Sequence, residues 1–263
     1  YDVQQEQAFI ASTLSQMSLR DQVAQMIQAE IKHISPEDII EYGIGSVLSG
    51  GGSQPNGNKY ASIDDWRQLA QQYHDASLST ENSRIAIPII WGIDAVHGHN
   101  NLYGATVFPH NIALGAANNP DLTHAVFGAT ASDVRASGIK WVFSPTVAVA
   151  RDDRWGRTYE SFSEDPELVS VHAQTAITGL QGISPAQLQS ANKVIATSKH
   201  FLGDGGTTNG IDQGNTELSE SSLLDIHGQS FQAAIDAGTQ TIMASFNSWN
   251  GDKVHGSQYL LTD

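Results

Sequence analysis

The chain has 263 residues, 40% of them hydrophobic, with five tryptophans, no cysteine, and 13 Lys and Arg against 28 Asp and Glu for a formal net charge of −15 at pH 7. That length and composition fit a globular protein with one large domain and a sizeable core. The acidic surface repels nucleic-acid phosphates and anionic lipid, so no nucleic acid is expected as a partner, and the lack of cysteine excludes disulfides and thiolate metal sites.

In chain order, Ile44 to Leu48 reads as a strand, closed by the turn Ser49-Gly50-Gly51-Gly52. These glycines lack the Lys-Ser/Thr of a phosphate loop, so an ordinary turn is the reading. Ser62 with Asp65 three residues on is a capping-box pattern; it opens a helix with Ile63, Trp66, Leu69, Ala70 and Tyr73 on one face. Ile85 to Asp94 is the second strand, and Asn119-Pro120 starts a helix running to about Ser137. Ile139 to Val149 is apolar and rich in valine, with Pro145 ending the regular strand near Ser144. Asp165-Pro166 starts a helix that ends near Gly179 or Gly182, and Val194 to Phe201 is the fourth strand. Ser219 to Ala237 is a helix stopped by Gly238, and Thr239 to Phe246 is the fifth strand.

Such alternation predicts an α/β fold with a parallel sheet and right-handed crossovers, open or closed. Five strands are found where a closed barrel needs eight. No apolar run approaches the roughly 18 residues of a membrane span, so membrane insertion is not expected. The chain opens on Tyr1 without a basic, apolar leader, which fits a processed start.

Polar residues gather where these strands end, the place where ligands sit in parallel α/β sheets. Asp94 closes the second strand; Arg151, Asp152, Asp153, Arg154 and Arg157 follow the third; Lys199 and His200 lie on the fourth; Asn247-Ser248-Trp249-Asn250-Gly251 follows the fifth. Converging Asp, Arg, Lys and His suit a neutral polyhydroxylated ligand, because a sugar hydroxyl both donates and accepts. Each has a plainer reading. Asp94 alone is as well explained by bonds to loop amides, and Asp152, Asp153 and Arg154 are better read as loop-bracing ion pairs. Lys199 inside a β run is harder to dismiss, since buried lysines are rare unless paired. His97 and His99 with Asp94 resemble a metal set, but two histidines around a glycine more often shape a turn. Trp155 and Trp249 serve equally as packing residues or as platforms for a pyranose ring.

Four segments together resemble glycoside hydrolase family 3, matching in order and spacing across roughly residues 15 to 263. They are Trp91-Gly92-Ile93-Asp94-Ala95-Val96-His97-Gly98; Arg154-Trp155-Gly156-Arg157 with Tyr159-Glu160-Ser161; Lys199-His200-Phe201-Leu202-Gly203-Asp204-Gly205; and Asn247-Ser248-Trp249-Asn250-Gly251. The resemblance is to the exo-acting β-glucosidase and β-glucan glucohydrolase members. It implies the N-terminal part of a (β/α)8 TIM-type catalytic barrel, with about five of its eight strands in residues 1–263 and the barrel remainder and a following α/β domain elsewhere in the polypeptide. It further implies that Asp94, Arg157, Lys199 and His200 bind hydroxyls of the non-reducing terminal glucose, and it extends the substrate-binding set to Met243, Phe246 and Trp249.

A retaining double displacement is implied too, with an Asp nucleophile and a Glu acid/base and without metal or organic cofactor. The nucleophile belongs to a Ser-Asp-Trp-like motif expected beyond Asp263, and the acid/base to the α/β domain, so neither is assigned within these residues. Phe246 stands where some relatives carry Tyr. The N-acetylglucosaminidase branch has an Asp-Ser-His loop where this chain reads Thr207-Thr208-Asn209-Gly210-Ile211-Asp212-Gln213, which points to a glucosidase. The expected substrate is a β-glucan or β-glucoside, and export to periplasm or medium is inferred from polysaccharide-degrading relatives. The rivals are a sugar-binding module without hydrolysis, an aldolase-type barrel using Lys199 in a Schiff base, and a folding half that needs the rest of its polypeptide.

Overall fold

The computed structural model describes residues 3–81 and 84–263, so the expectation attached to Tyr1 lies outside them. The chain divides into two compact units, Tyr1–Ile93 with Asn101–Tyr103 and Ser137–Ile139, and Asp94–Asn100 with Gly104–Ala136 and Lys140–Asp263.

In the first unit the helices begin where side chains can replace absent backbone partners. Helices α1 (Val3–Ser15) and α2 (Leu19–Gln25) precede strand β1 (Gln28–Glu30), and α3 (Pro36–Tyr42) leads to β2 (Ser46–Ser49). Helix α4 (Ile63–Ser77) has the expected capping box: the Asp65 N–H donates to Ser62 Oγ at 3.3 Å and the Ser62 N–H donates to the Asp65 carboxylate at 2.7 Å. Its Trp66, Tyr73 and Ala76 are buried. Strand β3 (Ile90–Ile93) pairs in parallel with β2, and β2 with β1, placing Ala29, Val47 and Trp91 in register. The Trp91 ring lies 5.7 Å from Trp66 and 5.5 Å from Tyr73, and its indole N–H donates to Ser49 Oγ at 3.0 Å.

The first unit also shows where periodicity misleads. The expected strand from Ile85 to Asp94 is regular only over Ile90–Ile93, because Pro88 has no N–H to give a ladder. Strand β1 is absent from the sequence reading; Gln-Ala-Glu carries no apolar run to announce it.

In the second unit α5 (Asn111–Ala117) and α6 (Pro120–Ala136) precede the short β4 (Trp141–Val142). Asn119 Oδ1 accepts from the Leu122 N–H at 3.1 Å, so Asn119-Pro120 starts α6 as expected. Two isolated parallel bridges, Trp141 of β4 to Ile195 and, after β4, Thr146 to Lys199, flank the cis Ser144-Pro145 bond. The strand expected to end near Ser144 is thus regular over only Trp141–Val142, with one further bridge at Thr146.

Helix α7 (Pro166–Gln181) is capped by Asp165 and ends at Gly182, the later of the two expected stops. After α8 (Pro185–Leu188) comes β5 (Thr197–Phe201), then β6 (Asn215–Thr216). The helix expected from Ser219 forms as α9 (Glu220–Leu223), a π turn over Leu224–Gly228, and α10 (Gln229–Asp236), with Gly238 at φ 85° as its stop. Strand β7 (Thr241–Ala244) pairs in parallel with β5, setting Lys199 opposite Met243, with a register shift after Lys199. A small sheet of β6, β8 (Ser248–Trp249) and β9 (Asp252–Lys253) follows, and α11 (Gln258–Leu261) ends the elements. Among the described residues no helix is long and apolar enough to cross a membrane.

Candidate active site

The polar residues singled out in the sequence fall in the second unit, and four of them, Arg154, Arg157, Lys199 and His200, meet a carboxylate. Lys199 Nζ donates to Asp94 Oδ1 at 2.8 Å; the lysine side chain is 3% exposed and the aspartate 34%. An ammonium drawn this far from water requires such an acceptor.

Arg157 forms a two-point fork with Glu160, Nε to Oε1 at 2.7 Å and Nη2 to Oε2 at 2.9 Å. Glu160 is buried, and Thr146 Oγ1 also donates to its Oε2 at 3.1 Å. Burial pushes the Glu160 carboxyl up, but the hydrogen bonds and charge of Arg157, with the charges of Lys199 and His200, bring it below the usual range. Burial likewise acts to lower Arg157, and Glu160 overrides it to leave the guanidinium above its ordinary value. Thr146, which donates to Glu160, forms a parallel bridge with Lys199, so the backbone brings the Glu160 carboxylate and the Lys199-His200 segment close together.

His200 Nδ1 lies 2.8 Å from Asp204 Oδ2. An ionised carboxylate only accepts, so Nδ1 carries the hydrogen and Nε2 faces away from Asp204. The Lys199-His200 and Phe201-Leu202 peptide bonds are both cis. Beyond them Gly205 has a packing reason: a Cβ there would run into the Val149 carbonyl oxygen.

The remaining candidates separate. Arg154 and Asp152 form an ion pair at 2.5 Å on the surface, so the loop-bracing reading holds for them. Trp155 is buried against Ala148 and Ala150 and gives its indole N–H to Asp212 Oδ1 at 3.1 Å; it packs and is no open platform. Trp249 is half-buried, donates to the Leu218 carbonyl at 3.0 Å and stacks on Tyr259. Met243 is half-buried on β7, whereas Phe246 is exposed with its edge to His255.

His97 goes to the Phe108 carbonyl at 3.0 Å and stacks on His110, around Gly98 at φ 84°, as a turn-shaping residue would. His99 is buried, and burial takes it down to about 4. Among the described residues no three His, Cys, Asp or Glu side chains are placed to hold a metal ion.

Glu160 and Asp204, each the partner of a candidate cation, stand inside the matched segments but have no role in the sequence reading. The spacings i,i+3 from Arg157 and i,i+4 from His200 were their only signal. A hollow of about 600 Å³ lies in the first unit and is lined by Leu19, Val23, Ile27, Ile34 and Ile44 among others. Its apolar wall lacks the converging polar groups of a sugar site, so volume alone does not locate the chemistry.

Residues 18–263 match the glycosyl hydrolase family 3 N-terminal domain. The chain is 32% identical over 277 residues to the lysosomal beta glucosidase of Dictyostelium discoideum, covering 97% of the chain and 33% of that protein. It is 29% identical to the periplasmic beta-glucosidase of Salmonella typhimurium, covering 97% of the chain and 31% of that protein. Among solved structures, the exo-1,3/1,4-beta-glucanase of a Pseudoalteromonas species superimposes with a TM-score of 0.94 at 52% identity, over 97% of this chain and 32% of that one. The chain therefore spans about a third of the length of these relatives. Its fold is α/β of the TIM-barrel type, as the family resemblance implied.

Proposed function

The chain belongs to glycosyl hydrolase family 3, and we propose on that premise that its second unit holds the terminal glucose of a β-glucoside or β-glucan in a retaining, exo-acting hydrolase. The observation that carries this reading is the set of two cation–carboxylate pairs, Lys199 with Asp94 and Arg157 with Glu160, beside the hydrogen bond of His200 to Asp204. In this reading Asp94 Oδ2 accepts from a glucose hydroxyl, while the unengaged N–H groups of Arg157 and Nε2 of His200 meet neighbouring hydroxyls. Met243, Phe246 and Trp249 border the same subsite.

Contacts of this kind accelerate hydrolysis only if they strengthen as the ring flattens toward an oxocarbenium ion. The two reacting carboxylates, an Asp attacking the anomeric carbon and a Glu protonating the leaving oxygen, belong in this reading to parts of the polypeptide outside the 263 residues. Glu160 and Asp204 are already committed to Arg157 and His200, which supports that placement. Relatives named as beta-glucosidases and as an exo-1,3/1,4-beta-glucanase support the substrate class, and the periplasmic Salmonella relative supports export.

The test compares the 263-residue chain with a version extended to the length of the relatives, on p-nitrophenyl β-glucoside and short β-1,3- and β-1,4-glucans. Glucose release by the extended form alone is expected. Equal release by the shorter form would mean that a carboxylate within these residues reacts. Binding of glucose by the extended form without any hydrolysis would replace the enzyme with a sugar-binding module.

A further inference from the structure

We propose that Glu160 is a positioning residue that aims the Arg157 guanidinium at the ligand, and is not itself a proton-donating carboxyl; this rests on the sugar-subsite reading above. Arginine carries five N–H groups on a planar fork at the end of a flexible stem. Glu160 takes one N–H of Nε and one of Nη2, at 2.7 and 2.9 Å. A two-point contact fixes the plane of the fork as well as its place, leaving the N–H groups on the opposite edge as directed donors.

Glu160 is itself held from three sides. Its backbone N–H donates to the Arg157 carbonyl at 2.9 Å, closing the turn that brings the two side chains together. Its carbonyl oxygen accepts from Asn111 Nδ2 at 2.8 Å, and its Oε2 accepts from Thr146 Oγ1 at 3.1 Å. Asn111 Nδ2 also reaches the Thr146 carbonyl at 3.3 Å, so the brace and the carboxylate share one anchor. The Glu160 side chain is 8% exposed and that of Arg157 33%, so the carboxylate is the more enclosed member of the pair and the arginine the more accessible one. With both oxygens accepting, Glu160 has no proton to deliver.

The experiment is a double-mutant cycle in the extended polypeptide, with E160Q, R157A and E160Q/R157A, reading kcat and KM on p-nitrophenyl β-glucoside, inhibition by glucose, and Tm. Gln keeps the shape but turns an amide N–H toward Nη2. E160Q is expected to lower kcat/KM by about 10- to 100-fold, and by less than about 3-fold once Arg157 is gone. Independent, additive losses would overturn the proposal, as would an E160Q enzyme within about 2-fold of the parent. So would rescue of E160Q by azide, which would make Glu160 a reacting carboxyl. If the parent binds glucose but hydrolyses nothing, the enzyme reading fails while the same cycle in glucose affinity still decides the role of Glu160. If the parent does neither, both readings fall. Should E160Q not fold, Thr146→Val removes the brace alone; a loss of about 3- to 5-fold supports the proposal and no loss overturns it.

Discussion

Lys199 is the residue whose environment constrains the site most tightly. Its side chain is almost wholly buried, and its charged partner, Asp94, is a third exposed. Removing the partner and removing the charge are therefore different perturbations. Asp94→Ala leaves a buried ammonium without its carboxylate, and a loss of about 1–3 kcal/mol is expected, reduced from the fully buried case because Asp94 meets solvent. Lys199→Met replaces the stem with one of similar volume and should cost less. Urea denaturation of both variants and the double mutant checks this; equal losses from either single change would contradict the account. In the extended polypeptide Asp94→Ala should also lower kcat/KM at least about tenfold, and an unchanged value would remove Asp94 from the site. Lys199 was legible in the sequence because a lysine inside an apolar β run is anomalous. Its acceptor was visible only as a polar strand end, and Glu160 and Asp204 were not legible as partners, since i,i+3 and i,i+4 pairing matters only once the loop geometry is known. Trp155 was undecided for a related reason: an indole packs and stacks with the same surface, and its burial together with its bond to Asp212 separates the two.

Among the elements, what could be read was what is encoded locally. The helix starts at Ser62, Asn119 and Asp165 all have side-chain oxygens accepting from backbone N–H groups two or three residues on. Ser62→Ala should thus destabilise the protein by about 1 kcal/mol, the usual worth of such a cap. A urea midpoint indistinguishable from the parent's would show that tertiary contacts, not the capping box, fix the start of α4. Strand limits were not encoded locally. Apolar runs through Ile85–Asp94 and Ile139–Val149 contain only Ile90–Ile93 and Trp141–Val142 as regular strand, because burial favours apolar residues in irregular segments as well. Conversely β1 was missed because pairing with β2, and not composition, makes Gln28–Glu30 a strand. The π turn at Leu224–Gly228 left no mark on a helical pattern that runs straight through it.

For the molecule as a whole the α/β class followed from the alternation of apolar runs with amphipathic helices, whereas the division into two units did not, since it depends on contacts distant in sequence. Buried histidines add a whole-molecule property that composition conceals. His99 and His227 are both buried, and burial takes each down to about 4; for His227 the charge of Asp204 opposes that and Arg151 reinforces it. Their folded pKa values lie below the unfolded value of about 6.5, so between about pH 6.5 and 4 the unfolded chain takes up protons that the folded one refuses. Stability must fall as pH falls through that window, by about 2 kcal/mol per histidine at pH 5. Above the window both are neutral in either state and contribute no slope. Glu160 works in the same direction but lower: its folded pKa is depressed, so its contribution is present above the ordinary carboxylate range and is lost only on further acidification. Urea midpoints at pH 8, 7, 6 and 5 should thus be level at first and then decline before carboxylates titrate. His227→Gln keeps a polar side chain without a titrating ring, and its midpoint should drop less between pH 7 and 5 than the parent's. If the variant loses as much stability over that interval, His227 is not the source of the acid sensitivity and its burial does not hold it neutral.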